Sequence, residues 1–125
     1  MTPRSVALAL GGAYAVLTAA ELLFGQWSLG GTPILERTTK ANLLHWSVAL
    51  AMLGAFFAGG APSRVVCRVA GSLFLILAVW GLLSAVSLGG VLDYPEGIPV
   101  SYQAAHALSA VVALIGGFAS RGERA

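Results

Sequence analysis

Apolar residues run in four long stretches, at about 6–25, 41–58, 65–88 and 102–119. Between them lie short segments where glycine, proline and charge collect. A helix crossing the hydrocarbon core of a bilayer needs about 20 mostly apolar residues, and each stretch is of that order. The pattern predicts four spans in a single membrane domain covering 1–125. The segment 26–40 carries Ser28-Leu-Gly-Gly31, Pro33, Glu36, Arg37 and Lys40, and reads as a loop. Gly59-Gly-Ala-Pro62 is a tight connection, and 89–101 is a second long loop with Asp93, Pro95, Glu96 and Pro99. The first stretch contains a cleavage-like Ala13-Tyr14-Ala15, but the apolar run continues past it, so it reads as a span rather than a signal peptide.

Composition supports lipid as the solvent. Hydrophobic residues make up 58% of the chain and charged residues 10%, against about 45–50% and about 25% in a soluble domain. The net charge of +2 comes from scattered residues, which argues against a nucleic-acid surface. Lysine and arginine near span ends set orientation. Arg4, Arg64, Arg68, Arg121 and Arg124 lie on one side, Arg37 and Lys40 on the other. Five against two puts both termini in the cytoplasm and the two long loops outside. Trp27, Trp46 and Tyr102 stand at span boundaries and read as interfacial anchors.

The two halves of the chain look alike at an offset of about 60. Arg4-Ser-Val-Ala-Leu-Ala-Leu-Gly11 lies on Arg64-Val-Val-Cys-Arg-Val-Ala-Gly71. Ser28-Leu-Gly-Gly31 recurs as Ser87-Leu-Gly-Gly90, and Asn42-x-x-His45 as Gln103-x-x-His106. Two spans per unit preserve direction, so the expected fold is an all-α, integral membrane four-helix bundle. It is made of two similar helical hairpins related as a parallel pseudo-twofold repeat.

The candidate chemistry sits in the spans. His45 and His106 are the only histidines, each about four residues into its stretch, or roughly 6 Å along a helix. Glu21 is the only acid inside a span, where a carboxylate is costly unless paired or wetted. With Asn42 and Gln103 one turn before the histidines, these residues form either a polar clamp that sets helix packing or a ligand site. The ligand readings are axial ligation of a haem or other tetrapyrrole by His45 and His106, and a metal held by His45, His106 and Glu21. A third reading makes Glu21 the site of a small proton-coupled transporter. Seven intramembrane glycines (11, 12, 54, 71, 81, 116 and 117) read as close-packing positions. Cys67 reads as an inert thiol, with reversible palmitoylation as the alternative.

With Asn42-Leu-Leu-His45 opening span two, Arg64-Val-Val-Cys-Arg-Val-Ala-Gly71 opening span three and His106 in span four, the chain resembles the uncharacterised bacterial family of four-span membrane proteins catalogued as domain of unknown function 4383. The resemblance covers nearly the whole chain. Gln103 stands where that family usually has asparagine, and Ala49 where many members have a further histidine. The resemblance implies a bacterial inner-membrane location and a four-helix fold, and no activity.

No nucleophile–base pair, phosphate loop or Cys-x-x-Cys is visible in the sequence. The function expected is that of a non-catalytic membrane protein, an accessory or stabilising subunit of a larger membrane complex or a homo-oligomer. No cofactor is expected under this reading. The alternatives are the tetrapyrrole-binding or electron-transfer subunit and the transporter.

Overall fold

The computed structural model describes residues 1–25, 27–35 and 38–119, with the side chains of 32–35 and 119 left aside. Glu36, Arg37, Arg121 and Arg124, used above to orient the chain, lie outside the described residues.

Four long helices pack as a bundle: α1 (Pro3–Phe24), α2 (Thr39–Ala58), α3 (Gly60–Leu83) and α5 (Val100–Leu114), the last continued by a wider π turn at Ile115–Ala119. Each is long and apolar enough to cross a membrane. A short α4 (Ala85–Val91) follows α3, and strands β1 (Trp27–Leu29) and β2 (Thr32–Leu35) form a hairpin between α1 and α2. Helix α1 packs mainly on α2, and α3 on α5. One end of the bundle carries both long connections and is called the loop end below. The other carries the α2–α3 turn and is called the turn end.

Local chemistry sets the helix boundaries. Thr2 and Ser5 form a capping box at the start of α1, with Pro3 at the first helical position, where its missing N–H costs nothing. The Thr38 hydroxyl accepts the Ala41 N–H at the start of α2. Gly59, at φ 121°, turns the chain from α2 into α3. The Ser63 hydroxyl then donates to the carbonyls of Ala55 and Gly59 and staples that turn.

Span three differs from its expected bounds of 65–88. It begins at Gly60, because Pro62 falls in the first turn, whose N–H groups need no helical acceptor. It ends at Leu83, because Ser84 leaves the helical conformation and its hydroxyl caps α4 by accepting the Ser87 N–H. The two Ser-Leu-Gly-Gly segments also part company. In the first, Gly30 and Gly31 take φ of 58° and 81° and close the β1–β2 hairpin, as a two-residue primed turn requires. The second is wound into α4.

Packing sorts the glycines into two groups. A β-carbon at Gly11 would meet Met52 and Leu53 of α2, and one at Gly71 would come within 3.0 Å of the Leu114 backbone nitrogen. Gly12 and Gly54 have nothing within 4 Å and are not close-packing positions. Gly71→Ala should therefore destabilise by about 1–3 kcal/mol through overpacking. Gly54→Ala should stabilise by about 0.5–1 kcal/mol, the ordinary gain in a helix. Unfolding in a graded detergent series measures both, and equal effects would contradict this packing.

Candidate functional site

The polar side chains collect toward the loop end. Glu21 lies in the last turn of α1, Asn42 in the first turn of α2, His45 one turn deeper, and His106 in the second turn of α5. All four are buried, Glu21 to 2% exposure. The Asn42 amide donates to Glu21 Oε2 at 3.2 Å. The same oxygen is 3.9 Å from His45 Nδ1, within ion-pair range and too long for a hydrogen bond. Neither His45 Nδ1 nor His106 Nδ1 has a hydrogen-bond partner among the described residues.

Four rings, one from each long helix, close a circuit beneath this layer. His45 and His106 meet edge to face, centroids 6.5 Å apart. Tyr14 lies 5.2 Å from His45, Phe74 stacks 5.1 Å from Tyr14, and His106 stacks 5.8 Å from Phe74. The Tyr14 hydroxyl shares a 2.8 Å hydrogen bond with Ser109, and the Thr18 hydroxyl returns to the Tyr14 carbonyl at 2.6 Å. Tyr14 and Phe74 are not among the site residues that the sequence singles out. The one signal for their role is register, since they lie 60 apart and the histidines 61 apart.

Above the histidines the second long connection folds down as a plug. Leu88, Leu92, Tyr94 and Ile98 are buried, and Ile98 N donates to the Ala85 carbonyl at 3.1 Å. Asp93 pairs with Lys40 at 3.1 Å on the exposed rim, a contact worth at most about 1 kcal/mol. The space left between plug and histidines is about 10 Å³, lined by both histidines, Tyr94 and Tyr102. That is about the room one water needs, against about 300–1,000 Å³ for a small-molecule site.

The candidate residues divide accordingly. Glu21, Asn42, His45 and His106 come together. Gln103 does not join them: it packs against Gly81 and donates to the Ile98 carbonyl at 3.3 Å, so it holds the plug instead. Of the expected interfacial anchors, Trp27 is half exposed on the β hairpin and Trp46 is half-buried. Tyr102 is turned into the plug, its ring 5.8 Å from Tyr94. Tyr14 and Phe74 pack against the histidine rings and the space beside them is about 10 Å³, so no macrocycle-sized gap lies between them. Among the described residues no three His, Cys, Asp or Glu are grouped to hold a metal, so the His45, His106 and Glu21 set is not assembled as a metal centre.

Cys67 lies at the turn end, fully buried, with its thiol 3.7 Å from the Pro3 carbonyl. It should resist maleimide in the folded protein and react on unfolding. Rapid labelling of the native state would show that α1 and α3 separate there.

Fold and site define a small multi-pass membrane protein whose intramembrane polar groups meet inside a four-helix bundle. No family model, curated protein or solved structure matches the chain.

Proposed function

We propose that this is a non-catalytic membrane subunit that works by lateral association, with copies of itself or with a larger membrane complex that it stabilises. The observation that carries this reading is how the polar groups are used. Glu21, Asn42, Tyr14 and Ser109 bond to one another, and the plug leaves room for about one water over the histidines. Meanwhile only 33–39% of each span is buried within the chain. Large apolar side chains such as Phe24, Phe57, Leu82 and Leu83 face outward. On this reading His45, His106, Glu21 and Asn42 are a polar clamp that sets helix packing. The exposed hairpin residues Trp27 and Leu29, rather than the folded-down second connection, offer the distinctive loop-end contact.

The reading includes a pseudo-twofold relation between two hairpins, α1 with α2 and α3 with α5. The ring circuit supports it, pairing Tyr14 with Phe74 and His45 with His106. It also includes a bacterial inner-membrane location with both termini cytoplasmic, for which Arg4, Arg64 and Arg68 at the turn end are the support.

Cross-linking in native membranes followed by native mass spectrometry tests the reading. A discrete assembly of fixed stoichiometry is expected. A lone monomer in both measurements would overturn it.

A further inference from the structure

At the turn end the same device occurs twice. Arg4 Nε donates to the Phe56 carbonyl at the end of α2, at 3.2 Å, and its guanidinium lies 5.0 Å from the Phe56 ring centroid. Arg68 Nε donates to the Gly117 carbonyl beyond the end of α5, at 2.8 Å, and its guanidinium lies 4.6 Å from the Phe118 ring centroid. Cys67 touches Pro3, so the residues that follow them, Arg68 and Arg4, sit at one level. Each arginine spends its Nε on a carbonyl at the negative pole of a helix, and its plane rests by a phenyl ring. Neither has a carboxylate partner among the described residues. Arg64 lies one turn before Arg68, and no described acid stands at this end.

We propose that this end binds phosphates of anionic phospholipid headgroups at two forks, one offered by the terminal NH2 groups of Arg4 and one by those of Arg68. Three physical reasons support it. The remaining edge of a guanidinium whose Nε is occupied is a planar fork suited to phosphate oxygens. Two contacts hold each fork in place, so little side-chain entropy is lost on binding. The level is that of the headgroups, because both forks lie at the ends of membrane-length helices. The inference does not depend on the subunit reading, since a monomer would carry the same forks.

The test is native mass spectrometry of the full chain from mild detergent, titrated with phosphatidylglycerol and with phosphatidylcholine of identical acyl chains. Phosphatidylglycerol adducts should form preferentially. The preference should fall about fivefold for each arginine replaced by glutamine, as expected for a basic residue at a charged membrane surface. Arg4→Lys with Arg68→Lys keeps the charge and removes the fork, and should form several-fold fewer phosphatidylglycerol adducts at equal lipid while still preferring that lipid. Should the glutamine pair fail to fold, the lysine pair decides. Undiminished phosphatidylglycerol adducts in the lysine pair would overturn the role of the fork, and equal binding of the two lipids by the native chain would overturn the site. Millimolar inorganic phosphate that displaces the lipid adduct would show a free-phosphate site and reject the lipid source.

Discussion

Asn42→Leu should cost the bundle about 1–3 kcal/mol, the scale of leaving a buried polar group without its hydrogen-bond partner. Glu21 is 2% exposed, and the Asn42 amide, 3.2 Å from Oε2, is its one side-chain hydrogen-bond donor among the described residues. Leucine would leave the carboxylate facing His45 Nδ1 at 3.9 Å, beyond hydrogen-bond range. Glu21→Gln keeps an acceptor for the amide and removes the charge, so it should lie within about 1 kcal/mol of the native chain. The double replacement, Glu21→Leu with Asn42→Leu, deletes both partners and should recover most of what Asn42→Leu loses. Unfolding free energies for Asn42→Leu, Glu21→Leu and the double replacement form a double-mutant cycle, with Glu21→Gln measured beside them. Equal losses for Asn42→Leu and Glu21→Gln would mean that the carboxylate is already neutral or wetted, and the clamp would lose its physical basis.

Gly89→Ala should lift the plug from the histidines. A β-carbon at Gly89 would lie 2.5 Å from the Tyr94 carbonyl oxygen and 2.7 Å from the Gly97 Cα. Both are backbone atoms, so no rotamer change relieves the clash. The cost is that of overpacking, about 1–3 kcal/mol. It should be confined to the segment where Tyr94 N bonds the Gly89 carbonyl and Ile98 N bonds the Ala85 carbonyl. Hydrogen exchange should show those amides losing protection while the centre of α3 keeps its own. Gly90→Ala, with nothing within 4 Å, is the matched control and should change neither. If the two variants exchange alike, the plug does not rest on α4.

The four spans and the clustering of Glu21, Asn42, His45 and His106 were legible because they depend on local quantities. Length and hydropathy decide whether a segment can cross hydrocarbon. A carboxylate within a span must find a partner at its own depth, and depth follows from position along a helix. Rotation about the helix axis and loop path are different. Gln103 matches Asn42 in sequence, yet one amide holds the Ile98 carbonyl and the other holds a carboxylate. The decision falls to the path of the plug, which brings the Ile98 carbonyl back against the first turn of α5.

Lipid as solvent, four crossings and the depth of each ionisable group follow from the amino-acid order alone, because a bilayer acts on each segment separately. The tertiary structure decided which rings close around the histidines and why Gly89 must lack a side chain. It also decided that one Ser-Leu-Gly-Gly turns as a hairpin while its twin winds into a helix. Those outcomes depend on contacts between distant segments, and an identical tetrapeptide yields to whichever neighbours it meets.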